Sequence, residues 1–211
     1  MSKQPEFDVA IIGAGVVGLS IAHFLSKTKL SVLVLDSEDN FGRVTSSRNS
    51  EVIHSGIFNP PNSLKYQLCR RGNELIYKFC DVNKIWYKNC GKIIVSKEEE
   101  IDNFNTFTET LSRKKIEYDI LTSDQSSKME NHIISDKSIY IDSAGVIDSH
   151  DYMNHLFRIA SNNCTFIFES KANEIKKMHD RYQLKIQRKN KEIETINASS
   201  IINCAGLNSY N

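Results

Sequence analysis

Several things are scarce in this chain. Nowhere in its 211 residues does an unbroken apolar run approach the roughly 18 residues of a membrane-spanning helix, so no span is expected. Excess charge is also missing: 27 Lys and Arg face 26 Asp and Glu, for a net charge of +1. That balance points to no polyanionic partner, nucleic acid included. One locally basic run, Lys171 to Lys191, alternates with Ile175, Leu184 and Ile186 and reads as the wet face of a hairpin. The five cysteines (Cys69, Cys80, Cys90, Cys164, Cys204) contain no CxxC pair and no histidine at metal spacing, so no metal site is expected. They read as reduced thiols in a cytoplasmic protein. Apolar sequence begins at Phe7, which leaves no expectation of a signal or transit peptide. Internal repeats and low-complexity tracts are absent.

What is present is concentrated at the start. FDVAIIGAGVVG, residues 7–18, runs an apolar strand into three spaced glycines, and SVLVLD closes a second apolar run at Asp36. This is the pattern of a dinucleotide bound on a βαβ unit. Gly13 allows a sharp turn out of the strand, Gly15 lets backbone approach a pyrophosphate, and Gly18 lets the next helix pack closely. Val17, Ile21, Phe24 and Leu25 stand at helical spacing, so a helix is expected from Val16 to about Lys27. Its N-terminal N–H groups and dipole would face the pyrophosphate. A carboxylate at Asp36 accepts from ribose hydroxyls and repels a 2′-phosphate.

Further along, Ser63 is placed to cap a helix through about Val82, with Leu64, Leu68, Leu75, Ile76 and Phe79 facing inward. Residues 86–95 read as a strand interrupted at Gly91, and 97–115 as a charged helix. A weakly patterned stretch reaches Ser138, before a short strand at 139–142. A helix over Ser149–Ala160 leads into the strand CTFIFE, and residues 171–198 read as a β-meander turning at His179-Asp180 and Lys189-Asn190. ASSIINCAGL then forms a buried strand ending at Ala205 and Gly206. A nicotinamide domain would continue to alternate strand and helix. The Ser/Arg-rich loop, the long insertion and the meander suit FAD instead, whose longer body needs a second domain over the flavin.

AIIGAGVVGLS, SRNSEVIHSGIFNPPNSLKYQLC, CGKIIVS and IINCAGL together resemble the FAD-dependent oxidoreductases of the D-amino-acid oxidase superfamily, and within it the L-2-hydroxyglutarate dehydrogenase or oxidase group. The resemblance implies an α/β fold. It would comprise a Rossmann-type (glutathione-reductase-like) FAD-binding sheet with a β-meander, and an interleaved, incomplete α+β substrate domain. The flavin domain would occupy 1–82 and 146–211, and the substrate domain 83–145. Gly13, Ala14, Gly15, Val16, Val17 and Gly18 would serve the pyrophosphate and Asp36 the adenosine ribose. Thr45, Ser46, Ser47 and Arg48 would lie along the pyrophosphate and ribityl chain, with Ser37 and Arg43 completing the set. Val52–Gly56 would pass the isoalloxazine, Ala172 would lie near the adenine, and Ala205 and Gly206 would make a second backbone approach.

Such enzymes oxidise a small L-2-hydroxy acid, here L-2-hydroxyglutarate-like, to the 2-oxo acid, with hydride passing to flavin N5 and electrons then to a quinone or oxygen. A peripheral inner-membrane contact is a family possibility with no amphipathic segment to support it. His54 has three readings: base for the hydroxyl proton, covalent tether of FAD, or a buried imidazole shaping the pocket. Glu51 departs from the family's usual glycine, and Phe58 and Asn59 replace a tyrosine-bearing pair. The family is longer than this chain, so the flavin is expected to be open on one side and the chain alone a poor enzyme. Alternatives are a flavin amine oxidase of glycine or sarcosine type, and a non-catalytic remnant or half of a split flavoprotein needing a partner polypeptide.

Overall fold

The computed structural model describes residues 6–210. In chain order the elements are β1 (Phe7–Ile12), α1 (Val16–Leu25), β2 (Val32–Leu35), β3 (Val52–Ile53), α2 (Leu64–Asn83), β4 (Tyr87–Lys88), β5 (Lys92–Ser96) and α3 (Ile101–Arg113). They continue as β6 (Asp119–Thr122), α4 (Ser123–Met129), β7 (Lys137–Ile141), β8 (Gly145–Ile147), α5 (Ser149–Ala160), β9 (Cys164–Ile167), β10 (Ser170–Lys177), β11 (Tyr182–Arg188) and β12 (Ile193–Asn203). Single 3-10 turns lie at Thr45–Ser47, Glu98–Glu100 and Gly206–Asn208. The chain forms two units: residues up to Ser50 together with those from Ser149 onward, and Glu51–Asp148.

The first unit is built on a six-stranded sheet ordered β10-β11-β12-β1-β2-β9. β12, β1, β2 and β9 run parallel, while β10, β11 and β12 form the antiparallel meander. β1 lies inside the sheet, so its apolar residues alternate between two covered faces. Val9 and Ile11 join Val32, Val34, Ala22 and Ala160 on the side of α1 and α5. Ala10 joins Leu33, Leu35, Leu184, Ile186, Ile196 and Ala198 on the other. Phe157 of α5 stacks on Phe41 at 4.7 Å between ring centres and meets Phe166 edge-on at 4.9 Å, which pins the loop after β2.

Two expectations change here. The last meander strand and the strand expected at ASSIINCAGL are one element, β12, which leaves the meander at Ala198 and continues beside β1 to Asn203. It is also less buried than expected, with Ser199 and Ser200 exposed and Ile201 and Ile202 half-buried.

The second unit holds two three-stranded antiparallel sheets, β3-β8-β4 and β5-β7-β6. Its core gathers Ile57, Phe104, Leu111, Ile116, Ile139 and Ile141. Helix α2 belongs here, not to the flavin sheet, so the expected boundary after residue 82 falls inside this unit. The reason lies in its partners. Tyr66 donates to the Lys114 carbonyl at 3.0 Å, Asn73 to the His54 and Ser143 carbonyls at 3.1 and 2.8 Å, and Tyr77 to Ser143 at 3.3 Å. These residues and the buried Cys80 share one helical face. Leu64, Leu68 and Leu75, expected inside, lie on the other side at 69%, 57% and 52% exposure. Ser63 does cap the helix, accepting the Tyr66 N–H at 3.1 Å.

The interrupted strand over 86–95 proves to be β4 and β5, in different sheets, with Gly91 at φ 71 lying against the Tyr140 ring. The weakly patterned stretch contains β6 and α4. A reciprocal box starts α4: Thr122 accepts the Gln125 N–H at 3.3 Å, and Gln125 accepts the Thr122 N–H at 2.9 Å. Lys114 closes the loop after His54, donating to the Ile57 and Asn59 carbonyls at 2.6 and 2.8 Å. Burial holds its ammonium below the usual lysine pKa.

Glu51 opens this unit at φ 57, in the left-handed region. A non-glycine residue there costs on the order of 1–3 kcal/mol. Glu51→Gly is expected to raise stability by about 1 kcal/mol, read as a higher urea midpoint. An unchanged or lower midpoint would show that contacts of the carboxylate outweigh the strain.

Candidate functional site

Backbone hydrogen bonds fix the turn out of β1 to its neighbouring strands. Gly13 N–H donates to the Leu35 carbonyl and Cys204 N–H to the Ile12 carbonyl, both at 2.7 Å. Gly13 sits at φ 106, and a Cβ there would collide with the Cys204 carbonyl. A Cβ on Gly18 would strike the Gly13 carbonyl and lie 3.5 Å from Ile11 Cγ2, so this glycine seats α1 against the turn and β1. At Gly15 a Cβ would stand 2.9 Å from Ser46 Oγ. Gly15 offers no side-chain cap to α1; Ser46, thirty residues on, accepts the Val16 N–H at 2.9 Å instead.

Beside this turn opens a cleft of about 550 Å³, lined entirely by the first unit. Gly13, Gly15, Asp36, Ser37, Arg43, Thr45, Ser46, Ala172, Ala205 and Gly206 all line it. Asp36 stands where β2, β9 and β10 converge, its N–H donating to Ile167 and its carbonyl accepting from Ser170. Its carboxylate accepts the Ala14 N–H at 2.6 Å and the Glu38 N–H at 3.0 Å. A carboxylate has about four acceptor positions, so capacity for ribose hydroxyls remains. Arg43 pairs with Asp39 at 2.9 Å with both side chains largely exposed, a weak tie that leaves the guanidinium available to phosphate.

The other expected cofactor residues lie beyond the cleft wall. Ala14 and Gly18 are buried and Val17 is 61% exposed, so they could contribute only backbone. Val16 offers its N–H, already met by Ser46. Ser47 donates to the Val44 carbonyl at 3.1 Å and accepts from Arg48 at 3.3 Å, and neither Ser47 nor Arg48 lines the cleft.

Sequence reasoning missed several wall residues. Asn203 accepts the Ala205 N–H and donates to the Ser209 carbonyl, each at 3.1 Å, shaping the chain after β12. A polar residue ending an apolar strand was the available signal. Asn173 lies at an irregularity in the β10–β11 register next to Ala172 and donates to Gln187 at 3.1 Å. Such bulges commonly re-aim a side chain beside a site. Burial pushes the Cys204 thiol up, so it stays protonated.

His54 belongs to the second unit. It is exposed, not buried as its structural reading required, and its carbonyl accepts from Asn73 and, at 3.5 Å, from Cys69 Sγ. Burial of part of the ring, then the charges of Lys92 and Lys65, hold its pKa below the ordinary histidine value. Among the described residues no group of His, Cys, Asp and Glu could hold a metal ion, and no helix is long and apolar enough to cross a membrane.

The first unit's cleft has the parts an FAD adenosine-diphosphate moiety needs: a glycine-rich turn, a helix N-terminus, hydroxyl donors and a carboxylate at the end of β2. The comparisons agree. The chain is 33% identical over 218 residues to human mitochondrial L-2-hydroxyglutarate dehydrogenase, covering 98% of this chain and 47% of that protein. It is 30% identical to the Escherichia coli K12 L-2-hydroxyglutarate dehydrogenase, with 95% and 48% covered. It thus spans about half the length of these relatives. In fold it resembles glycine oxidase from Geobacillus kaustophilus (TM-score 0.82, 19% identity, 94% of this chain and 55% of that one). It likewise resembles L-alpha-glycerophosphate oxidase from Mycoplasma pneumoniae with FAD bound (TM-score 0.82, 22% identity, 92% and 53%). With the family model for FAD dependent oxidoreductases matching residues 8–210, the chain belongs to that family.

Proposed function

We propose that the protein oxidises an L-2-hydroxy acid of the L-2-hydroxyglutarate type to the corresponding 2-oxo acid. The observation that carries this reading is the match of 98% of the chain to a protein of that activity, over a cleft with the parts FAD requires. Bound FAD supplies the acceptor for the substrate's hydride, and a quinone or oxygen then takes the electrons. Gly13, Gly15 and the N-terminus of α1 would face the pyrophosphate, Asp36 would hold the ribose, and Arg43, Thr45 and Ser46 would donate to phosphate oxygens. His54, whose pKa is held below the ordinary histidine value, would take the hydroxyl proton on a ring nitrogen. Five free cysteines support a reducing, cytoplasmic setting.

The test begins with an absorption spectrum of the purified protein after incubation with FAD and desalting. Flavin bands should remain, and anaerobic L-2-hydroxyglutarate should bleach them while glycine and sarcosine should not. A colourless protein would remove the cofactor assignment. Bleaching by glycine alone would turn the reading to an amine oxidase.

A further inference from the structure

Positive charge gathers around the loop that follows His54. The carbonyl of His54 is held by Cys69 and Asn73 of α2. Lys65 stands four residues before Cys69, so it continues the same helical row one turn toward the N-terminus. Lys92, the first residue of β5, holds its ammonium 5.7 Å from the Phe58 ring centre. The stem of Arg70 lies 3.5 Å from where a Cβ would stand on Gly56. Lys114 adds a fourth cation, but its ammonium donates to the Ile57 and Asn59 carbonyls.

No carboxylate offsets this charge within the loop, since residues 54–62 read HSGIFNPPN. The acidic residues of α2, Glu74 and Asp81, project from the opposite side of the helix to Lys65 at 3.6 residues per turn. Asp81 accepts from the Tyr87 hydroxyl at 2.6 Å. Lys65 is exposed and Lys92 half-buried, so both ammonium groups can meet a ligand from solvent.

We propose that Lys65 and Lys92, beside His54, form a carboxylate subsite that favours a dicarboxylic ligand over a monocarboxylic one. Two ammonium groups on separate elements, with the Arg70 guanidinium nearby, suit a dianion better than a single negative charge. The choice of ligand rests on the hydroxy-acid reading above; the cationic site itself does not.

The test uses glutarate, which has two carboxylates and no hydroxyl to oxidise, with butyrate as the monocarboxylate. The reporter is the His54 ring proton resonance, assigned by its loss in His54→Asn and followed through pH titrations. Glutarate should raise the His54 pKa saturably, because a bound dianion offsets the lysine charges, and butyrate should need higher concentration. Lys65→Gln and Lys92→Gln should each weaken glutarate about tenfold, and Lys65→Arg and Lys92→Arg should restore it. A glutarate shift matched by sodium chloride at equal ionic strength, or unchanged in both glutamine variants, overturns the subsite. No flavin enters this readout. Glutarate binding without bleaching by L-2-hydroxyglutarate would keep the subsite and reject the reaction; bleaching with a KM unaffected by either lysine would do the reverse.

Discussion

Replacing Gly13 by alanine is expected to give a protein that retains no flavin after desalting and melts well below the parent. The methyl group would occupy the space of the Cys204 carbonyl, and the backbone at φ 106 lies outside the range of ordinary L-residues. Strain of this kind costs about 1–3 kcal/mol, and overpacking against rigid backbone a further 1–3 kcal/mol. Neither neighbour can retreat cheaply, because Cys204 N–H and Gly13 N–H are both bonded to the sheet at 2.7 Å. At roughly 2–4 °C per kcal/mol for a chain of this size, the melting temperature should fall by about 4–24 °C. Gly206→Ala is the matched comparison: it too has positive φ, at 58, but no atom lies within 4 Å of the added carbon. It should lose less. Parent-like flavin retention and melting in Gly13→Ala would reject this account of the turn.

His54→Gln is expected to slow anaerobic flavin reduction by L-2-hydroxyglutarate by about 10²–10⁴-fold, while flavin content stays the same. A proton acceptor must be unprotonated to act, and the pKa of His54 lies below the usual 6.5 through partial burial and the Lys92 and Lys65 charges. The parent's bleaching rate should therefore be insensitive to this group at pH 7 and fall only as pH drops below 6.5, a limb absent from the variant. Stopped-flow absorbance across pH 5–8 reads both effects. Reduction at the parent rate would remove His54 as base. Flavin that stays with the acid-precipitated parent, but not with the variant, would instead identify a tether.

The parts legible from residue order were those set by neighbours in sequence. The glycine turn, the Asp36 position, helix α5, the meander turns and the Ser63 cap each depend on a few adjacent side chains. Residues meeting across long separations were less accessible. The leucine periodicity of α2 points to the wrong face: Leu64, Leu68 and Leu75 are exposed, and the inward row is Tyr66, Asn73, Tyr77 and Cys80, chosen by carbonyls at His54, Lys114 and Ser143. The cap that Ser46 gives α1 spans thirty residues, and no local pattern could reveal it. Short strands such as β8 and β6 take their form from partners; alone, three or four residues carry too little periodicity to read.

The pairing of β1 with β12 has a consequence for the order in which the protein comes into being. Phe7 aligns with Ala198 and Ile12 with Asn203, so β1 waits for a strand made only after the whole second unit. Until then the glycine turn lacks the carbonyl of Cys204 beneath it and the cleft lacks a wall. A nascent chain on the ribosome could form the second unit and the parallel β1–α1–β2 start, yet still have no complete place for FAD. Contacts of such long sequence separation form slowly, and an uncovered parallel strand edge is open to wrong partners meanwhile. Cofactor capture should thus follow the docking of β12 beside β1, as a step that joins two segments far apart in sequence.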